Sequence, residues 1–349
     1  ERDPQSLIAI AEAVRKSVLT PIVFNDREIA VTASIGIALF DTQLHQKRED
    51  MLKDGMVATA HAKKSGGNRV EFFRPGMRTQ HSDRQSLEAD LRRAIDRHEI
   101  KVAFRPVVRL EDRTIAGFEA LLRWDHPRLG RLSPSDFIPI AEETGLILDL
   151  TLFALERTAR DLAAWQRAID VSPPIFASVN LSSRQLLRHE LLHDVKGVIT
   201  RSGVSRGSLK LEMTEALVME NPEYSAQILQ RVREIGAGLI LDDFGAGYSS
   251  LAYLQRLPFD MIRLGRSFVR HDATGVRPLI LRSLVSLARD LGMEVIAEGA
   301  ETESDTIELY QLGCAFAQGY AFGRPISSAD ARKLVGAAPD QAEPRVAVG

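Results

Sequence analysis

From Lys101 onward the chain alternates short apolar runs with amphipathic stretches, and each apolar run stops at polar side chains. The runs are KVAFRPVV (101–108), IAGFEALLRW (115–124), PIFASVNLS (174–182), SLKLEMTE (208–215), GLILDDFG (238–245), DMIRLG (260–265), MEVIAEGAET (293–302) and AFAQGYAF (315–322). Helical patterns fill the gaps: a segment across 136–169, and others such as SAQILQRVREIG (225–236) and RPLILRSLVSLARDLG (277–292). Strands that alternate with helices are read as parallel and joined by crossovers. Eight strand candidates over this length predict a closed, TIM-like β/α barrel. An open doubly wound sheet is the alternative, but no GxGxxG turn follows any strand.

In such a barrel the C-terminal strand ends open onto one rim. Glu119 lies in FEALLRW and Asn180 ends ASVN. Glu212 and Glu215 end LKLEMTE, Asp242 and Asp243 end LILDD, Glu298 and Glu301 end VIAEGAE, and Gln318 follows AFA. These side chains are expected to converge. Gathered carboxylates raise one another's pKa, at a cost on the order of several kcal/mol unless cations neutralise them. Oxygen ligands without His or Cys favour Mg2+, Mn2+ or Ca2+ over Zn2+. Adjacent Asp residues can serve two ions, and two metals roughly 3.5–4 Å apart are a recurring arrangement for phosphodiester hydrolysis. One acid at a strand end is usually a helix cap or a solvated loop residue. A series of them at successive strand ends points to a metal site. The glycines of FGAGYSS would let the next loop lie close to a ligand and move.

The formal net charge is -2, whereas proteins that track polymeric nucleic acid are strongly basic. A small anion held by local groups suits the chain better. Cys314 is the sole cysteine, so no internal disulfide can form, and a reducing, cytoplasmic setting is expected. Its apolar surroundings, LGCAFAQGY, predict a buried structural thiol. No signal peptide and no run long enough to cross a bilayer is evident, so no membrane contact is expected of this stretch. The chain opens at Glu1 within a helical pattern and reads as a piece of a longer protein. That leaves sensor or membrane segments upstream open.

Before Lys101 the pattern differs. SLIAIAEAVRKSV (6–18) predicts a helix, EIAVTASIGIALF (28–40) a long strand, EDMLKDGMVATAHAKKSGG (49–67) a helix with a glycine stop, and NRVEFF (68–73) a short strand. Residues 76–99 are polar with a helical stripe and suit a linker helix. The basic run RQSLEADLRRAIDR within them reads as a solvated helix face. Residues 337–349 read as a flexible tail. His126 and His193 are expected at the surface or in loops, and Trp124 and Trp165 in the core.

FEALLRWDHP, PSDFIPIAEETGLI, VNLS, LEMTE, LDDFGAGYSSL, AEGAET and QGYAFGRP resemble the EAL family of cyclic di-GMP phosphodiesterases, over residues 100–336. Residues 1–75 resemble the C-terminal half of a GGDEF (diguanylate cyclase-like) domain, through TASIGIALF and AKKSGGNRVEFF. The GGDEF signature is absent, and Thr59–Ala60–His61–Ala62–Lys63 departs from the usual M-Y-x-A-K, so cyclase activity is not expected. The EAL resemblance implies a barrel that binds cyclic di-GMP at its C-terminal rim. It implies two Mg2+ or Mn2+ ions that drive hydrolysis to pGpG, with Ca2+ as a non-productive substitute, and a homodimer formed near the DDFG loop. By motif position, Glu119, Asn180, Glu212 and Asp242 resemble ligands of a first metal, and Asp242, Asp243 and Glu298 those of a second. Glu301 and Gln318 match polar positions that hold water, metal or ligand. Leu121 and Arg123 match ligand-contacting positions, Arg123 the arginine for the ligand phosphate. Glu215 resembles the glutamate that anchors the DDFG loop.

Three positions depart from the family. Where it usually reads D-x-x-K-I-D-R-S-F-V, this chain reads D-M-I-R-L-G-R-S-F-V (260–269). The motif lysine, which contacts the attacking water, is Arg263, and the motif aspartate is Gly265. Arginine does not give up its proton at accessible pH. Losing a proton-transfer group costs roughly 10²–10⁴-fold, and losing a group that supports a metal a further ~10–100-fold. Third, Arg105 stands where the family has a glutamine that can contact a guanine, and would alter base recognition or stack on the base. The expectation is a site that binds cyclic di-GMP and cleaves it slowly or not at all. It is either an impaired phosphodiesterase or a catalytically inactive receptor. A scaffold without a ligand would not need so many rim acids.

Overall fold

The computed structural model describes residues 4–24, 27–29, 31–39, 47–169, 171–245, 254–269 and 277–336. The chain divides into two compact units, Glu1–Asp90 and Leu91–Gly349.

In the first unit, helices Pro4–Val18 and Arg48–Lys64 accompany two short sheets. Strands β1 (Ile22–Phe24) and β2 (Arg27–Ile29) pair antiparallel, and β3 (Ile35–Ile37) pairs in parallel with β4 (Val70–Phe72). The long strand expected over 28–40 is therefore broken, and residues 31–34 carry no regular structure. The available partner pairs only over Ile35–Ile37, so the β-branched residues before it have no ladder to join. Gly36 is fixed by packing. A Cβ there would meet Thr59 N at 2.3 Å and Gly55 O at 2.4 Å, because the helix backbone presses directly on the strand. The expected linker helix is Pro75–Ala94. Residues 337–349, expected as a tail, lie outside the described residues.

The second unit is a closed barrel of eight strands: β5 (Ile100–Arg109), β6 (Ile115–His126), β8 (Phe176–Asn180), β9 (Leu209–Thr214), β10 (Gly238–Asp242), β11 (Met261–Leu264), β12 (Glu294–Glu298) and β13 (Phe316–Gln318). β7 (Gly130–Leu132) adds to β6 outside the ring. The pairs from β6 through β8 to β13 are parallel. The expectation of parallel strands throughout is corrected at β5, which is antiparallel to both β6 and β13. Only residues 110–114 separate β5 from β6. That suffices for a tight turn, with Arg113 at φ 62°, but not for a crossover helix.

Helices such as Ile147–Ala168, Leu191–Ser202 and Pro222–Ile235 cover the barrel with their apolar faces. Outward-facing strand residues pack against them. Trp165 lies between Phe104 and Phe118, with ring centroids 4.9 and 5.1 Å away. The inward face closes on Val107, Phe176, Ile240, Met261, Ile296 and Phe316, which form the barrel floor. Trp124 and Trp165 are core residues, as expected. His126 is not at the surface: it is 2% exposed, and its Nδ1 accepts from Arg128 N and Leu129 N, both at 3.1 Å, in the turn to β7. Among the described residues no helix is long and apolar enough to cross a membrane.

Cys314 is buried, as expected, and burial pushes its thiol up to about 12. Only the thiolate is nucleophilic. The native chain is therefore expected to leave iodoacetamide unconsumed at neutral pH and to take up one equivalent on denaturation. Labelling followed by mass spectrometry checks this, and rapid native labelling would contradict it.

Candidate functional site

Side chains on a strand alternate between faces, so the residue two beyond each floor residue also faces inward, one layer nearer the mouth. That layer holds Ser178 beyond Phe176, Asp242 beyond Ile240, Arg263 beyond Met261, Glu298 beyond Ile296 and Gln318 beyond Phe316. β5 runs the other way, so its member is Arg105, two before Val107. Register adds the rest: Glu212 pairs with Asn180 and Ile240, and Glu119 pairs with Arg105 and Ser178. Glu119 does not end its strand, because β6 runs on to pair with β7. It joins the others because its level in the barrel matches theirs.

Cationic side chains sit among these acids. Arg263 is 2% exposed. Its Nη2 donates to Glu212 Oε2 at 2.9 Å, and its Nη1 contacts Glu212 Oε1 and lies 3.3 Å from Glu119 Oε1. Arg105 Nη1 donates to Glu119 Oε2 at 3.3 Å and to Glu298 Oε1 at 3.0 Å. Arg266 Nε donates to Glu298 Oε1 at 3.1 Å. Glu119 also accepts from Asn180 Nδ2 at 3.3 Å and from Gln318 Nε2.

The remaining sequence-derived positions surround this network. Asp242 is half-buried, and its Oδ1 accepts from the N–H of Asp243, which is exposed with φ 53°. Glu215 is buried, and its Oε2 accepts from Gly245 N at 3.0 Å, holding the start of the loop after β10. The rest of FGAGYSS, from Ala246, lies outside the described residues. Leu121 and Arg123 follow Glu119 on the same face of β6 and are half-buried. Arg123 Nη1 donates to Leu122 O at 2.8 Å. Glu301 is exposed and shares a small cleft with Arg105, Arg266, Glu298 and Tyr320.

Burial opposes ionisation of both inner glutamates, with different outcomes. For Glu212 burial dominates and the charges of Glu119 and Asp242 add to it, so its carboxyl lies above the usual range despite Arg263. For Glu119 burial is outweighed by Arg263, Arg105, Gln318 and Asn180, and its carboxyl lies below that range. Burial raises Asp242 as well, against the pull of Arg263. Glu212 fares worse because Glu119 and Asp242 repel its charge, whereas Glu119 has Arg105 beside Arg263 and two amide donors.

The carboxylates and the Asn180 amide are of the right class for a hard cation, but they do not frame a place for one. No group of three His, Cys, Asp or Glu among the described residues is arranged to hold a metal ion. The Arg263 guanidinium stands between Glu119 and Glu212. Arg105, expected to face a guanine, is engaged with Glu119 and Glu298. Sequence reasoning missed Arg266 and Tyr320. Arg266 was legible as a cation two residues past the β11 end. Tyr320, 57% exposed beside the Gln318 strand end, was an aromatic in a glycine-bounded turn.

Comparison with known proteins agrees with this architecture. The model of the EAL domain matches residues 88–325. The bifunctional diguanylate cyclase/cyclic di-GMP phosphodiesterase MucR of Pseudomonas aeruginosa is 34% identical over 328 residues, covering 93% of this chain and 47% of MucR. The cyclic di-GMP phosphodiesterase NbdA of the same organism is 33% identical over 318 residues, covering 91% of this chain and 40% of NbdA. The chain thus spans about half the length of these relatives or less. The solved PaMucR phosphodiesterase in complex with c-di-GMP superposes with a TM-score of 0.67 at 35% identity, covering 70% of this chain and 99% of that one. The mouth acids, the closed mixed barrel and these matches together make this chain a member of the EAL domain family.

Proposed function

We propose that the barrel binds cyclic di-GMP at this mouth and hydrolyses it slowly or not at all. The observation that carries the reading is Arg263, a cation that cannot accept a proton, held against Glu212 and Glu119 where the family pattern has lysine. Gly265 adds to it. The family's aspartate is gone there, and a Cβ would sit 3.1 Å from Asp243 Oδ1. On the binding side, Arg123 has no ion pair among the described residues, and its guanidinium suits a ligand phosphate. The Mg2+ or Mn2+ pair expected from the family would find suitable oxygens in Glu119, Asn180, Glu212 and Asp242, with the Arg263 guanidinium in the gap between the two glutamates. Residues 1–75, read as part of a GGDEF-like domain, would pass the binding signal on.

A catalytically inactive receptor is one form of this reading, and an impaired phosphodiesterase is the other. Glu119, Glu212, Asp242, Asp243 and Glu298 are all retained, which favours it. Calorimetric titration with cyclic di-GMP, with pGpG followed by chromatography in the same samples, separates the two. Saturable binding with negligible product is the expected result. Arg123→Ala should weaken binding by roughly 10–100-fold, the value of one hydrogen bond to a charged group. Unchanged affinity would remove Arg123 from the ligand site, and brisk product formation would overturn the slow-hydrolysis reading.

A further inference from the structure

We infer that Arg263 acts as a tethered cation in place of a divalent ion, so that the barrel binds cyclic di-GMP without Mg2+ or Mn2+. This rests on the mouth being a cyclic di-GMP site. A small divalent ion shared by two carboxylates sits about 2.1 Å from each oxygen. Between Glu119 Oε1 and Glu212 Oε1 that gap holds Arg263 Nη1, which touches one oxygen and lies 3.3 Å from the other. The guanidinium is fixed there. Its backbone is clamped between β10 and β12, its carbonyl accepts from Phe244 N, and its Nη2 is bound to Glu212 Oε2 at 2.9 Å. It also keeps its charge, because arginine stays protonated in proteins.

The same substitution of fixed for free cations extends across the mouth. Glu298 accepts from Arg105 at 3.0 Å and from Arg266 at 3.1 Å. The side chains of these two arginines are 15% and 45% exposed, against 3% for Arg263. Arg263 thus neutralises the inner acids, while Arg105 and Arg266 face the solvent side, where a dianionic cyclic dinucleotide would meet them. Gly265 contributes by omission, since an aspartate there would crowd Asp243 with a second negative charge.

The test strips the chain with EDTA. It then measures cyclic di-GMP affinity by calorimetry, and thermal unfolding of the ligand-free chain, in EDTA and in Mn2+. Affinities agreeing within about twofold and an unchanged Tm are expected, since an ion that binds only the folded chain would raise it. In Arg263→Gln, Mn2+ should raise the Tm and strengthen ligand binding by at least ~10-fold. Arg263→Lys, with its smaller head group, should respond in the same direction and serves if the glutamine variant does not fold. A tenfold or greater loss of parental affinity on chelation, a Mn2+-dependent Tm in the parent, or indifference of both variants to Mn2+ would each overturn the inference. Absence of cyclic di-GMP binding in both buffers would refute the functional reading instead, and the unfolding data would still decide the cation claim.

Discussion

With Mn2+ present, the double variant Arg263→Lys/Gly265→Asp is expected to release pGpG from cyclic di-GMP at least ~100-fold faster than the parent chain, at the low end of what a positioned proton-transfer group contributes. Lysine keeps a positive charge in the inward layer but has a compact head that can give up and retake a proton. It also vacates the space beside Glu119 that Arg263 Nη1 fills. The aspartate adds a carboxylate near Asp243, where a Cβ would approach Oδ1 to 3.1 Å. Two acids that close repel unless a cation joins them, so Gly265→Asp alone should lower stability in EDTA and recover it in Mn2+. Steady-state product formation decides the matter. A double variant that binds cyclic di-GMP as the parent does, yet turns over no faster, would show that neither position limits catalysis.

Arg263→Leu should destabilise the barrel by roughly 3–5 kcal/mol, the cost of stranding buried charge when one partner of a buried pair is removed. The magnitude follows from the surroundings. Glu212 is fully buried and would lose its contact with Arg263, while Glu119 would keep Arg105. Adding Glu212→Gln to Arg263→Leu should recover part of the loss, since it removes the buried carboxyl that would otherwise have to take up a proton. Urea unfolding followed by fluorescence of the buried Trp124 and Trp165 measures both. A loss below about 1 kcal/mol for the single variant would mean that the pair is not desolvated as described.

Much of this mouth was legible because two regularities coincide. Period-two alternation carries Ile240 to Asp242 and Ile296 to Glu298, and parallel register brings Asn180, Glu212 and Ile240 to one level. Strand position in the sequence therefore translated directly into depth in the barrel. The same rule carries Met261 to Arg263, whose place at the site was legible in the sequence through its match to the motif lysine. The direction of β5 was written only in the brevity of the 110–114 connection, and it decides that Arg105 rather than Arg109 lies at the mouth. In the first unit, local β-propensity over 28–40 misled because a strand needs a partner of equal length, and β4 supplies pairing only for Ile35–Ile37. His126 misled in the same way: a histidine beside a proline suggests a loop, and the turn it caps happens to be packed against Trp124, at 5.1 Å between rings.

The reversed first strand has one more implication. Were β5 parallel to its neighbours, the polypeptide would enter the barrel at the sealed end and reach the open end only after a full strand. Running backwards, it arrives at the open end first: Ile100 lies opposite Trp124, and Arg105 follows within the same strand, opposite Glu119. The incoming segment therefore enters the barrel only five residues before the guanidinium that contacts both Glu119 and Glu298, at the same level as the mouth acids.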